Sequence, residues 1–509
     1  MNKRVFYQNT AVMTGCSLLL RLMGILFRVF ISNRVGAEGM GLYQLVFSVY
    51  VLGTTFATSG LITAVTRLAA EHLAKGNPGA VSRLMRLCGC CCLLVGGASG
   101  LLLFGGAPYI GILIGDSRAV PAIAYSGIAL PFIGISSCLK GYFLARRQAW
   151  PPCLAQILEQ TVRIGGIVWM LNVFWDGTIS SACLIIVLWD ALSETVACIY
   201  LMGVYRHRRH QESRPETKPA VPLLRPLLNI SLPLTAGRYL STALHTVENI
   251  LVPARLTRYN RSETASLAQF GAVKGMALPL IFFPSALLMT ISGLLIPELS
   301  DAHTLGHRRQ VARLTELSLQ ITLLGAILVG GLFTVLGRTL GMLLYHDALA
   351  GTLLQVLGPL TPVMYLDSVA TGLLKGLGQQ VHSLWFSVAD SVVRITLILL
   401  ILPYYGLVGF LFVMVVSNLL TGCLSTGRLL TVSGASMQWR RWILRPALAA
   451  GAIGGLCSLL PLTGLSYVIT AGILFIGGYC LLMPLFGCFG KEDWIQLTAR
   501  KGQEKTAVD

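Results

Sequence analysis

Arg21 and Arg28 stand seven residues apart inside an otherwise apolar run, AVMTGCSLLLRLMGILFRVFISNRVG, at 11–36. At about 100° per residue, a step of seven returns nearly to the starting direction. Ser17, Arg21, Gly24 and Arg28 therefore make one polar, cationic stripe on a helix. A charge at bilayer depth is costly unless it meets water, a partner or a polar substrate. Seven residues rise only about 10 Å, too little for both guanidinium groups to snorkel to opposite membrane faces. The stripe reads as one wall of a wet cavity, and its chemistry suits an anion, because arginine offers paired donors to phosphate oxygens.

A second stripe lies farther along. Arg238, Ser241, His245 and Glu248 follow steps of three, four and three, again on one helical face. His245 is either a cavity group or a hydrogen-bonded packing histidine. Glu248 either faces cargo or neutralises Arg238 or another arginine. Two acid-first pairs, Glu159 with Arg163 and Asp390 with Arg394, have the i,i+4 spacing of structural ion pairs. Asp190 and Glu194 form an acidic i,i+4 pair that could meet Arg163 or serve a proton or sodium step. Asp367 stands alone in an apolar setting, a third candidate for ion coupling.

These residues need helices to hold them in a membrane. Of 509 residues 54% are hydrophobic and 12% charged, and the mean hydropathy is +0.72. Soluble domains carry about a quarter charged residues. The long apolar runs exclude a transmembrane barrel, which needs short alternating strands. The expected class is an all-α integral membrane protein. We read 14 transmembrane helices, near 10–32, 41–63, 87–106, 119–139, 154–175, 180–204, 228–252, 271–296, 316–337, 350–373, 384–402, 406–426, 446–462 and 465–487. No cleaved leader is expected, because the first apolar segment carries two arginines and lacks a small-residue cleavage site.

With both termini placed in the cytoplasm, 27 basic residues fall on inside segments against 6 outside. That asymmetry matches the positive-inside rule and accounts for the net charge of +18 without nucleic acid. The 13 cysteines lie mostly in apolar helices and read as small core residues. Cys88 and Cys91 have CxxC spacing, but no second ligand pair accompanies them, so no metal site is expected. The turn RVGAEGMGLYQ at 34–44 is glycine-rich, and Gly36, Gly39 and Gly41 would permit a tight reversal. No GK[ST] follows it, and no HExxH or GxSxG occurs, so neither ATP binding nor hydrolytic chemistry is expected.

The polar, proline-rich segment at 206–226 divides the chain. Across it, LKG at 139–141 answers LKG at 374–376, VRI at 162–164 answers VRI at 393–395, and SGLI at 59–62 answers SGLLIP at 292–297. The common order and near-constant offset indicate duplication. The expected organisation is an N-terminal six-helix lobe at 1–205, a cytoplasmic basic linker at 206–226, and a C-terminal six-helix lobe at 227–430. An additional helix pair at 431–490 and a cytoplasmic tail at 491–509 complete it. Lobes with an even number of spans are parallel repeats, and the two charged stripes would line a cleft where they meet.

The stretch RLMGILFRVFISNRVGAEGMGLYQL, followed by SGLITAVTRLAAEHLAKGN, resembles the stage V sporulation protein B group. That group belongs to the polysaccharide and lipid II flippases of the multidrug/oligosaccharidyl-lipid/polysaccharide superfamily. The resemblance implies cationic cavity residues at Arg21 and Arg28, with Lys274 as a counterpart in span eight. It implies flipping of an anionic polyprenyl-pyrophosphate-linked cell-wall or spore-cortex precursor across the cytoplasmic membrane by alternating access. No cofactor is expected, and the drive would be a sodium or proton gradient or the membrane potential. Partners would be the lipid-linked saccharide, membrane lipids and cell-wall or spore-cortex synthesis proteins. The competing readings are a cation-coupled multidrug exporter and a non-transporting membrane scaffold.

Overall fold

A computed structural model describes residues 3–58, 60–211 and 223–488. Most of the linker, 212–222, and the whole tail at 491–509 lie outside the described residues. Within them the chain is helical throughout: α1 (Lys3–Thr58), α2 (Leu61–Ala74), α3 (Pro78–Ile114), α4 (Val120–Ser126), α5 (Leu130–Ala145), α6 (Trp150–Val173), α7 (Ile179–Gln211) and α8 (Leu224–Asn260). Then come α9 (Glu263–Gly271), α10 (Leu278–Thr304), α11 (Arg308–Tyr345), α12 (Ala348–Leu357), α13 (Thr361–Gly376), α14 (Gln380–Ser433), α15 (Arg445–Ser458) and α16 (Gly464–Leu485). In hydrocarbon a helix satisfies its own backbone, which is why apolar runs of this length take no other form.

The expectation of fourteen spans is corrected. Among the described residues, nine helical segments are long and apolar enough to cross a bilayer. The runs expected at 10–32 and 41–63 share one segment, Val12–Ala74, and those at 384–402 and 406–426 share Gln380–Ser433. Each shared helix bends at one glycine, Gly36 (φ 73°) and Gly406 (φ 53°), without a loop. The helices at 154–175 and 228–252 carry too much polarity, as Glu159, Arg163, Arg238 and Glu248 illustrate. The segment at 446–462 is α15, which continues a π-helical stretch, Arg440–Leu444, and the charges of Arg440, Arg441 and Arg445 at its start lower its apolarity. The six, six and two grouping of spans falls with the count.

The chain forms two compact units, one of Met1–Met276 with Ser387–Val413, the other of Ala277–Phe386 with Met414–Asp509. In the first, Val65, Leu84, Cys88, Leu139, Phe143 and Leu201 anchor a buried core shared by α2, α3, α5 and α7. In the second, Leu299, Leu319, Leu373 and Trp442 form one core, and Ile453, Phe475 and Tyr479 another. The cysteines behave mostly as packing residues: Cys92 lies 3.4 Å from Cys138, sulfur to sulfur, in the first core, whereas Cys90, Cys423 and Cys480 are exposed.

Only Gly36 of the expected reversal leaves the helical conformation. Gly41 serves packing instead, and so does its partner helix. A Cβ on Gly41 would collide with the Leu267 carbonyl, and one on Gly271 with the Ala37 carbonyl. Small residues let α1 and α9 approach backbone to backbone, the contact that helices in lipid depend on. Gly271→Ala is expected to destabilise the protein by about 1–3 kcal/mol through overpacking. Gly165→Ala, whose Cβ meets nothing within 4 Å, is expected to be neutral or slightly stabilising. Thermal unfolding of both variants in the same detergent checks the contrast.

Candidate functional site

On α1 the stripe read from the sequence is present. Cys16, Phe27 and Ile31 are buried, while Arg21 on the neighbouring face is exposed and Arg28 partly so. Ser17 turns its hydroxyl back to the Met13 carbonyl at 2.8 Å, which leaves the guanidinium groups as the stripe's available donors. Neither Arg21 nor Arg28 donates a hydrogen bond to, or forms an ion pair with, any described residue. Arg238 on α8 is likewise exposed and uncommitted among them.

Further along α8 the charges are committed. Glu248 is only 1% exposed and accepts from three helical segments at once. Lys274 Nζ reaches Oε1 at 3.1 Å. Arg394 Nη1, from α14, lies 3.2 Å and 3.3 Å from the two oxygens. Arg394 Nη2 also donates to Asp390, one turn earlier, at 2.9 Å. His245 Nδ1, one turn before Glu248, lies 3.5 Å from Oε2. Lys274 sits in a π-helical turn, Ala272–Ala277, between α9 and α10. Such a turn shifts the side-chain register by a residue and is common at functional sites.

The same stretch of α8 is tied to α1. Thr246 donates to the Ser48 carbonyl at 3.2 Å, and Asn249 to the Ser48 hydroxyl at 2.8 Å. Thr55 and Thr242 hydroxyls pair at 3.4 Å. Glu248 is thus a counter-charge, with Lys274 and Arg394 as its partners.

A second network joins α5, α6 and α7. The i,i+4 spacing brought Asp390 and Arg394 together, but Glu159 and Arg163 each pair across helices. Arg163 Nη1 donates to Asp190 on α7 at 2.7 Å, and Glu159 faces Lys140 on α5 at 3.8 Å. The Tyr50 hydroxyl also reaches Asp190. Glu194, one turn on, keeps a buried Oε2 with no hydrogen-bond partner. In the second unit, Asp367 accepts from the Ser425 hydroxyl at 2.7 Å. Lys140, Tyr50 and Ser425 were missed in the sequence. Lys140 alone left a signal there, as the central residue of a repeated LKG.

Residues 6–303 match the family described as polysaccharide biosynthesis protein. The chain is 24% identical over 460 residues to stage V sporulation protein B of Bacillus subtilis (strain 168), covering 87% of each. It is 22% identical over 424 residues to lipid II flippase MurJ of the same organism, covering 77% of this chain and 76% of that one. Among solved structures, an inward closed conformation of lipid II flippase MurJ superposes with TM-score 0.70 at 13% identity, over 92% of this chain and 97% of that one. An inward-facing multidrug resistance MATE family transporter of the MOP superfamily superposes with TM-score 0.60 at 15% identity, over 82% and 96%. At such identities the structural likeness carries the fold alone.

Removing one partner of a buried ion pair strands the other. Asp190→Asn is therefore expected to destabilise the protein by about 3 kcal/mol, since Arg163 loses its nearest carboxylate. Glu194→Gln, which strands no cation, is expected to change stability far less. Denaturation of both variants in detergent tests the difference, and equal losses would count against this assignment of pairs.

Proposed function

This chain belongs to the polysaccharide biosynthesis protein family, and we propose that it flips an anionic polyprenyl-pyrophosphate-linked cell-wall or spore-cortex saccharide precursor across the cytoplasmic membrane. One observation carries the reading. Arg21, Arg28 and Arg238 have no counter-anion among the described residues, although a membrane makes uncompensated charge costly. A pyrophosphate would supply the missing charge, with guanidinium forks matched to its oxygens. The names of two relatives, a sporulation protein and a lipid II flippase, agree in kind with such a cargo.

The prenyl tail also has a candidate seat. The second unit contains an apolar cavity of about 980 Å³, lined by Ile327, Val335, Leu366, Leu419, Leu430 and Ile443 among others. Cargo would move by alternating access, with both termini in the cytoplasm. No covalent step is involved. A proton or sodium gradient or the membrane potential would drive the cycle, with Asp190, Glu194 and Asp367 as candidate coupling groups. A drug exporter of the same fold would need free carboxylates for cationic cargo. Of the three acids that would favour that reading, Glu248 and Asp190 are already engaged by lysine or arginine, and Glu194 alone has no ionic partner among the described residues.

The test is the double variant Arg21→Gln, Arg28→Gln in proteoliposomes carrying a lipid-linked precursor. Two lost charge-assisted contacts of about 1.5–3 kcal/mol each predict a fall in flipping of roughly a hundredfold or more. Thermal unfolding should be unchanged, because neither arginine holds a structural partner among the described residues. Unimpaired flipping would refute the reading.

A further inference from the structure

We propose that Glu248 is a resident counter-anion that holds Lys274 while no cargo is bound, and that His245 takes up a proton in its place when Lys274 turns to the cargo phosphate. The proposal rests on the phosphate-cargo reading above and adds a proton to it.

The three partners of Glu248 are not equivalent. Arg394 is held twice, by Asp390 at 2.9 Å and by both oxygens of Glu248. It is a strut between α14 and α8. Lys274 has one contact among the described residues, Glu248 Oε1 at 3.1 Å, and its side chain is 20% exposed. A lysine is a point charge on a flexible stem with rotatable donors, and it can exchange one anion for another without rearranging its helix. Of the two cations, Lys274 is the one free to leave.

Its departure has a cost that the node must meet. Lys274 and Arg394 balance Glu248 and Asp390, two positive charges against two negative. Without Lys274, two carboxylates would share one guanidinium, and Glu248 is 1% exposed and cannot turn to water. The neighbour able to replace the charge is His245. Its Nδ1 already lies 3.5 Å from Glu248 Oε2, and its side chain is 48% exposed. Histidine is the side chain whose charge changes near neutral pH. The exchange balances simply: hydronium gives a proton to the imidazole and becomes water, and the imidazolium so formed faces Glu248 in place of the lysine. The charged and titratable groups in contact with Glu248 are Lys274 and Arg394 from neighbouring segments and His245 on its own helix. Cargo binding is thereby linked to uptake of one proton.

The experiment measures binding of farnesyl pyrophosphate to the purified full-length protein at about pH 6 and about pH 8, across the range where histidine titrates. Wild type, His245→Gln and Glu248→Gln are compared. The probe's own ionisation affects all three alike, so each pH ratio is divided by that of His245→Gln. The corrected wild-type affinity is expected to rise roughly tenfold from the higher to the lower pH. Glu248→Gln is expected to bind about tenfold more tightly at the higher pH and to show no corrected pH effect, because Lys274 is already released. Binding by wild type with the same pH ratio as His245→Gln would overturn the proposal and leave the cargo reading standing. No binding by any of the three would overturn both. Should Glu248→Gln fail to fold, the comparison of wild type with His245→Gln decides alone, since that half-exposed histidine carries no buried load.

Discussion

A charge inside hydrocarbon has to find its opposite within the protein, and that requirement organises the first unit. Glu248 is reached from three helical segments because no single neighbour could neutralise it and also satisfy its four lone-pair sites. Arg163 with Asp190 ties α6 to α7, and Lys140 with Glu159 ties α5 to α6. These pairs add little by comparison with well-packed apolar residues, but each is costly to break halfway. They set which helices must stay adjacent. Against that background the uncommitted arginines on α1 and α8 stand out, because every other charge named in this unit's two networks except Glu194 has an ionic partner.

Apolar packing completes what the charges begin. Lipid tails are as apolar as leucine, so helices in a membrane gain little from burying hydrophobic area alone and rely on close fit. Gly100 faces Gly127 across α3 and the turn before α5, and Gly341 faces Gly351 across α11 and α12, each with a backbone where a Cβ would sit. Close approach at these points brings the carbonyl-lined helix surfaces into contact over many residues. It also explains how a chain with 54 glycines stays helical: tertiary contact outweighs a propensity cost of about 1 kcal/mol per glycine.

Much of the helical character and the α1 stripe could be read directly, since both follow from periodicity and composition. The Asp390–Arg394 pair was legible for the same reason, both groups lying on one face of one helix. Glu159 and Arg163 had identical spacing yet found partners on α5 and α7, because a neighbour across a helix interface can outcompete one along the helix. No one-dimensional pattern contains that choice. The π-turn around Lys274 was also invisible, since an extra residue in a turn leaves apolar periodicity almost unchanged. The span count failed where a glycine lets a helix bend without a loop, at Gly36 and Gly406. It failed again where a helix carries ion-paired groups that lower its apolarity, as on α6 and α8.

The fold by itself does not choose the cargo, for it is shared with a lipid II flippase and with multidrug transporters. What distinguishes cargo classes within one architecture is the sign of charge left over once internal pairs are made. A site for cations needs a surplus of carboxylate. In this chain the carboxylates of α8 and α14 are bound to Lys274 and Arg394, and Asp190 of α7 is bound to Arg163, whereas guanidinium groups of α1 and α8 are left over. The surplus is therefore cationic on both helices that the sequence had marked. The same accounting explains why an acid as buried as Glu248 belongs to an anion carrier. Its carboxylate is bound to Lys274 and Arg394 and leaves no free negative charge at that point of the first unit.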